Sequence, residues 1–203
     1  MQKNTTLSDQ IAATLHAYND GQHRYMNEFV QQYKSAADLL ALEIYPDAKE
    51  ITESASALHA VFKYLRQYDP KDPNVTLVSV GDGKQPRTAA LFAFKTKWNC
   101  VSIDPGLDRN KIPLWESKIQ RLTCIPCKVE DYGIYTWKKV VIVAVHSHAD
   151  MKTTLDHIIG SEERSLISIP CCIPWNYGPK PYREYLDAGI WSPKNRVKVW
   201  KTI

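Results

Sequence analysis

The chain has 203 residues, of which 44% are hydrophobic and 24% are charged, a composition typical of globular domains and unlike that of disordered or fibrous proteins. No apolar run approaches the roughly 20 residues that cross a bilayer, and the first ten residues lack the apolar segment of a secretory signal. We therefore expect a cytoplasmic protein, in the host cytoplasm if the source is viral. The net charge of +4 permits contact with nucleic acid but does not require it.

The five cysteines are an odd number, which argues against a disulfide framework. Cys124 and Cys127 have the spacing of a redox motif, but the residues around them predict a strand and not the helix start that lowers a thiol pKa. We expect both to be small buried side chains and expect no metal site. A redox or zinc role is the alternative.

Residues 1–72 are predicted to form a helical N-terminal extension. Ser8 can cap a first helix, and apolar side chains recur at helical spacing from Tyr25 to Leu40. Pro46 interrupts this pattern, and a further helix follows with Thr52 or Ser54 as its N-cap. A turn cluster at 69–74 ends the helical part.

From Val75 onward, strands alternate with helices, which predicts an α/β domain over residues 73–203 with a mostly parallel sheet. Helices are predicted at 86–96 and 150–159. The end of the chain predicts a strand at 188–191, a turn and a final strand, which would close the sheet as an antiparallel pair. The other predicted strands are 75–80, 99–104, 121–127, 139–145 and 165–170.

Polar residues follow each predicted parallel strand, where ligands of such sheets bind. Asp104 lies 23 residues after Gly81, close to the offset of about 20 residues of a ribose-binding acid. Each residue also has a purely structural interpretation, as a turn, a cap or a solvated acid. The candidates are, in chain order, Gly81, Asp82 and Gly83; Asp104; Glu130 and Asp131; His146, Ser147, His148 and Asp150; and Cys171 and Cys172.

Three stretches, LVSVGDG, CVSID and KVEDY, resemble the first three motifs of Rossmann-like S-adenosylmethionine-dependent methyltransferases. In addition, VHSHADM followed by SIPCC is similar to a subgroup with a His-x-Cys-Gly-Asp-Leu stretch and a later Cys-Cys pair, which includes relatives of a tRNA 2'-O-methyltransferase. The resemblance covers residues 75–203. It implies a mostly parallel Rossmann-like sheet with an antiparallel last strand, S-adenosylmethionine as cofactor, and a methyl acceptor that could be RNA.

The resemblance also assigns roles to residues. Val80, Gly81, Asp82 and Gly83 would surround the cofactor, and Asp104 would accept hydrogen bonds from its ribose hydroxyls. Asp131 or Glu130 would reach the adenine amino group. Beside the methyl group, His146 or His148 would take a proton from the acceptor, oriented by Asp150.

The chain departs from the family at several positions. Ser79 stands where an acid is usual, Gln85 replaces the third glycine, and His148 and Ala149 replace Cys and Gly. Two alternatives therefore stay open: a binding module that has lost catalysis, and an NAD-dependent oxidoreductase, although the loop lacks G-x-G-x-x-G spacing. The abrupt helix start at Gln85-Pro86 suits a ligand without a pyrophosphate.

The segment 174–185 mixes aromatic and basic residues beside the expected site. Trp175, Tyr177, Lys180 and Arg183 could contact a nucleic-acid substrate by stacking and charge, or belong to a proline-stiffened loop. Cys171 is a further substrate contact, with two alternatives: a covalent nucleophile toward a pyrimidine or a buried structural thiol.

Overall fold

The computed structural model describes residues 21–171 and 179–203. Three helices come first, and strands alternate with helices after them. In chain order the elements are α1 (Arg24–Gln32), α2 (Ala36–Ala41), α3 (Ala48–Tyr64), β1 (Val75–Val80), α4 (Arg87–Lys95), β2 (Asn99–Ile103), α5 (Ile112–Lys118), β3 (Leu122–Ile125), α6 (Val129–Tyr132), β4 (Tyr135–Val145), α7 (Met151–His157), β5 (Ile158–Ile169), β6 (Arg183–Leu186) and β7 (Arg196–Trp200).

The strands form one seven-stranded sheet in the order β3-β2-β1-β4-β5-β7-β6. The pairs from β3 to β5 are parallel, whereas β7 runs antiparallel to both of its neighbours. This confirms the predicted α/β fold, a mostly parallel Rossmann-like sheet with a reversed last strand. The carboxyl ends of β1, β2 and β4 therefore meet at one edge.

The sheet is buried on both faces, as the continuous apolar runs of β1 and β4 indicate. Leu77 and Val141 point into one core, which they share with Tyr25, Phe29 and the helices α3 and α4. Alternate strand residues pack in a second core against Met151 and Leu155 of α7. The N-terminal helices thus cover one face of the sheet. The division at residue 72 into an extension and a domain stays a prediction.

The predicted cap of α3 was wrong. Asp47 is the N-cap, and its side chain accepts a hydrogen bond from Glu50 N, whereas Thr52 and Ser54 are buried within the helix. Asp47 has an extended backbone and its side chain takes up a free N–H group of the first turn, so this cap sets the start of the helix at Ala48. The predicted helical stretch at 25–40 is two helices, α1 and α2. The helix predicted after Ser8 lies outside the described residues.

The first strand of the closing pair was placed five residues too late, because β6 begins at Arg183 and not near 188. Asp187 is 2% exposed and ends β6, since its carboxylate accepts hydrogen bonds from Tyr25 and Ser56 and pairs with Arg24. The residues after it form a loop tied to the N-terminal helices. β4 and β5 are longer than predicted, and α5 was not predicted.

Within the part of the chain that the structure describes, no helix combines the length and apolarity needed to cross a membrane.

Candidate active site

A cavity of about 650 Å³ opens at the carboxyl ends of β1, β2 and β4. This is the edge at which the sequence predicted a ligand, and the volume lies within the range of about 300–1,000 Å³ typical of small-molecule sites. The predicted site residues that line it are Val80, Gly81, Gly83, Asp104, Glu130, His146, His148 and Asp150.

Both glycines of the loop after β1 have left-handed backbone angles, with φ of +82° at Gly81 and +81° at Gly83. A Cβ at Gly81 would also lie 2.7 Å from Ser147 Cβ, whereas one at Gly83 would meet only Arg87 at 3.6 Å. Gly81 is thus required by conformation and by packing, and Gly83 by conformation alone. The close approach of Gly81 to Ser147 joins the ends of β1 and β4.

Asp82 has a different place from the one predicted for it. It is 2% exposed and does not line the cavity. Its carboxylate accepts hydrogen bonds from Thr88 N at 3.2 Å, Ala89 N at 3.4 Å and Ser102 Oγ at 2.9 Å. The side chain therefore caps α4 from inside the loop and links that helix to β2.

Asp104 lines the cavity and fixes the glycine loop. Its two carboxylate oxygens accept hydrogen bonds from Gly83 N at 2.8 Å and Gly106 N at 2.6 Å. Since each carboxylate oxygen has about two acceptor sites, both retain capacity for a further donor.

Of the two acids that follow β3, only one lines the cavity. Glu130 is exposed and lines the cavity, whereas Asp131, next to it on α6, is exposed and does not. Of the two predicted adenine contacts, Glu130 is thus the one at the site.

His146 is held on both sides of its ring. Nε2 lies 3.1 Å from the carbonyl oxygen of Lys194, and Nδ1 lies 3.4 Å from Glu53 Oε1. Its backbone has a φ of +52°, a conformation uncommon outside glycine. Neither ring nitrogen is left facing the cavity alone, so the predicted proton transfer directly to this imidazole would require these contacts to change.

Glu53 was not predicted as a site residue. It lies on α3 in the stretch 51–58, every residue of which is buried. Burial raises the pKa of Glu53 to about 7, and burial likewise lowers the pKa of His146. A signal was present in the sequence, because a charged residue inside a helical segment of apolar and small residues must be buried and needs a partner.

Asp150 lines the cavity as the N-cap of α7. Its Oδ1 accepts a hydrogen bond from Thr153 N at 2.8 Å, and the pKa of Asp150 is lowered chiefly by that bond. Sequence reasoning expected this acid to orient an imidazole. The carboxylate that the structure places against His146 is Glu53.

His148, which lines the cavity, is in contact with Cys171, which does not line it. His148 is exposed, and its Nε2 lies 3.1 Å from Cys171 Sγ. The ends of β4 and β5 thus bring together one residue predicted to be catalytic and one predicted to contact substrate.

Arg87 is a further cavity residue that sequence reasoning missed, although its place after Pro86 at the start of a helix is visible in the sequence. Its Nη1 pairs with Glu50 Oε1 at 2.6 Å, and its Nε donates to the carbonyl oxygen of Asp82 at 2.7 Å. These contacts hold a positive charge on the cavity wall.

The predicted substrate segment is only partly described. Cys172, Trp175 and Tyr177 lie outside the described residues. Lys180 and Arg183 are exposed and do not line the cavity, and Arg183 lies on the outermost strand, three strands from β4. Their contact with a substrate stays a prediction.

Cys124 is buried in β3, as predicted, whereas Cys127 is only partly buried and lines the cavity. Burial raises the pKa of both thiols, that of Cys124 to about 12, so neither is a thiolate at neutral pH. Among the described residues, no group of three or more His, Cys, Asp or Glu side chains could hold a metal ion.

No family model and no curated protein matches this sequence. The solved structures that match this chain include the following three. One is a variant of MtNAS in complex with S-adenosylmethionine, at 12% identity and a TM-score of 0.49, over 96% of this chain and 76% of that one. Another is Burkholderia thailandensis 1,6-didemethyltoxoflavin-N1-methyltransferase with bound 1,6-didemethyltoxoflavin and S-adenosylhomocysteine, at 17% identity and a TM-score of 0.40, over 100% and 76%.

The third is coclaurine N-methyltransferase bound to N-methylheliamine and S-adenosylhomocysteine, at 10% identity and a TM-score of 0.44, over 91% of this chain and 60% of that one. At these identities and TM-scores the likenesses carry no argument about this chain. The fold is established by the strand order and the reversed β7.

Proposed function

We propose that this chain is an S-adenosylmethionine-dependent methyltransferase that binds its cofactor in the cavity at β1, β2 and β4. The observation that carries the proposal is that the glycine loop suits a ribose-bearing ligand without a pyrophosphate. The motif resemblance of residues 75–203 supports the same ligand.

The start of α4 distinguishes the candidate cofactors. A dinucleotide places its pyrophosphate on the free N–H groups at the helix N-terminus after the first strand. Here the Asp82 carboxylate accepts from two of those groups, Thr88 N and Ala89 N. A pyrophosphate would have to displace a buried carboxylate and would be repelled by it. This arrangement disfavours the NAD-dependent alternative.

The part of the cavity that is lined by Gly83, Asp104 and Glu130 suits a nucleoside. Asp104 has acceptor capacity for ribose hydroxyls beyond its two backbone bonds, and Gly83 lets backbone come close to a ligand. Glu130 lines the cavity, where its carboxylate would accept a hydrogen bond from the amino group of the base. These residues would hold S-adenosylmethionine, and Arg87 supplies a positive charge for a carboxylate.

The bound cofactor would supply a methyl group on a positively charged sulfur. Methyl transfer is an in-line displacement, so the protein's part is to position the acceptor and to remove its proton where it has one. His148 lies at the cavity with its Nε2 beside Cys171, and this pair is our candidate for proton removal. Attack by Cys171 on a pyrimidine ring is a second candidate mechanism, favoured by the same contact.

We further propose RNA as the class of methyl acceptor. An RNA acceptor is supported by the net charge of +4, by the subgroup resemblance and by the exposed Lys180 and Arg183. A transfer assay with labelled S-adenosylmethionine over RNA, protein and small-molecule fractions would identify the class. Labelling of small molecules but not of RNA would overturn the RNA part alone.

Calorimetric titration tests the cofactor. We expect S-adenosylmethionine and S-adenosylhomocysteine to bind and NAD not to bind. Absence of binding by all three at millimolar ligand would overturn the proposal. Binding without transfer to any acceptor would favour the alternative of a binding module that has lost catalysis.

Asp104→Ala is the matching site variant. Because two charge-assisted hydrogen bonds to the ribose would be lost, we expect affinity for S-adenosylmethionine to fall about 10- to 100-fold. Asp131→Ala is the control, since it removes an exposed acid that does not line the cavity, and its affinity should stay within about twofold of the original. Equal affinity of Asp104→Ala and the unchanged protein would refute the site.

A further inference from the structure

Glu53 is a buried acid that the proposed binding of a cofactor does not use. It is 1% exposed, and its Oε1 has no hydrogen-bond partner among the described residues. The atom lies 3.4 Å from His146 Nδ1, on a ring that lines the cavity. Lys49 Nζ lies 3.8 Å from the same oxygen, which is too far for a hydrogen bond. A buried carboxylate oxygen without a hydrogen bond is costly, so it matters whether Glu53 and His146 hold a proton between them.

The contacts of His146 fix where its protons lie. The Lys194 carbonyl oxygen, 3.1 Å from Nε2, can only accept a hydrogen bond, so Nε2 carries a hydrogen. In a neutral ring Nδ1 is then an acceptor, and it faces a carboxylate oxygen, which is also an acceptor. The contact is favourable only if one proton lies between the two atoms, on Glu53 or on His146.

The backbone holds the ring in this orientation. His146 N donates to the Ile169 carbonyl oxygen at 2.8 Å, and its φ of +52° is sustained by the packed strands on either side. Glu53 is likewise fixed in the buried part of α3. Both members of the pair are therefore held in fixed positions, at the contact between the N-terminal helices and the sheet.

The surroundings set when that proton is lost. Burial raises the pKa of Glu53 to about 7 and lowers that of His146, so near neutral pH the proton belongs to Glu53 and leaves as pH rises. The cationic side chains nearby stay charged throughout this range. The charged groups facing the pair are Lys49, Glu50 and Asp47 from α3 and its cap, and Arg87 from α4.

We propose that Glu53 and His146 share one proton and that its loss makes this wall of the cavity negative, so that the site selects a sulfonium ligand over the uncharged thioether as pH rises. This inference rests on the proposed function. A negative wall attracts the positive sulfur of S-adenosylmethionine, whereas S-adenosylhomocysteine has no charge there. Glu53 acts through His146 and is a positioning residue.

The test is calorimetric titration of both ligands between pH 6 and 8.5. We expect the preference for S-adenosylmethionine over S-adenosylhomocysteine to rise about three- to tenfold over this range in the unchanged protein, and by less in Glu53→Gln. Each ligand's own titration is common to both proteins, so the comparison isolates Glu53.

Glu50→Gln is the matched control. Glu50 lies one turn earlier on α3 and pairs with Arg87. Its loss can change affinity and move the titration of Glu53 to lower pH, because its charge raises the pKa of Glu53, but the preference should still rise with pH. An equal pH dependence in the unchanged protein and Glu53→Gln would overturn the inference while leaving the proposed function standing. Absence of binding by either ligand would overturn both.

Proton sharing has a readout that needs no ligand. The ring nitrogens of His146, observed by 15N NMR from pH 5 to 9, should show a hydrogen on Nε2 throughout and a titration step at Nδ1 near neutral pH. That step should be lost or moved in Glu53→Gln. Identical titration curves of His146 in the two proteins would contradict the shared proton.

Discussion

The two walls of the cavity differ in how their carboxylates are satisfied. On the glycine-loop wall, Asp104 and the buried Asp82, which does not itself line the cavity, each accept hydrogen bonds from backbone N–H groups. On the wall formed by His146, Glu53 is buried beside the ring with an oxygen that has no hydrogen-bond partner among the described residues. The first wall is held in place by hydrogen bonds from the backbone, whereas the second can change its charge near neutral pH.

The largest effect should come from breaking the glycine-loop wall at Gly81. In Gly81→Ala, a left-handed backbone and a Cβ 2.7 Å from Ser147 Cβ combine, so we expect the free energy of unfolding to fall by about 3 to 5 kcal/mol. Gly83→Ala has the same backbone problem and open space, so it should lose about 1 to 2 kcal/mol. Urea denaturation measures both, and equal losses would show that Ser147 does not restrict the loop.

The second prediction concerns the wall formed by His146 and the dependence of stability on the ionisation of Glu53. The pKa of Glu53 is higher in the folded protein, at about 7, than its ordinary value of 4.5, so its ionisation opposes folding. As pH rises from 4.5 to 8, the unchanged protein should therefore lose up to about 3 kcal/mol of stability relative to Glu53→Gln.

Urea midpoints of the two proteins at several pH values measure this difference. His146, whose pKa is lowered by burial, is present in both proteins, so only the part of its titration that depends on Glu53 enters the difference. A Glu53→Gln variant that becomes relatively less stable with rising pH would show that the carboxylate acts instead as an ion-pair partner of Lys49, 3.8 Å away.

The smallest expected effect is the difference in stability lost when each of two aspartate helix caps, Asp82 and Asp150, is removed. Asp82 is buried and holds three donors at α4 and β2, so Asp82→Ala should cost about 2 to 3 kcal/mol. Asp150 is exposed and caps α7, so Asp150→Ala should cost about 1 kcal/mol. Thermal unfolding of both variants measures the difference. If Asp150→Ala cost more, its carboxylate would have a role beyond the cap.

The sequence by itself determined the five parallel strands, β1 to β5 in chain order, and the edge of the sheet at which the cavity lies. Buried strands appear as continuous apolar runs, and polar residues directly after them must lie at the carboxyl edge of a parallel sheet. For that reason Gly81, Gly83, Asp104 and His146 were all identified as residues of that edge, and the cavity lies among them.

The tertiary structure alone decided which partner each polar group has. Asp82 and Asp104 are both acids at strand ends, yet one caps a helix and the other lines the cavity. Glu53 belongs to a helix about 90 residues before His146 in sequence, and Asp187 ends β6 by contacts with α1 and α3. Hydrogen bonds and ion pairs depend on distances of a few ångströms between distant segments, which periodicity and spacing along the chain do not encode.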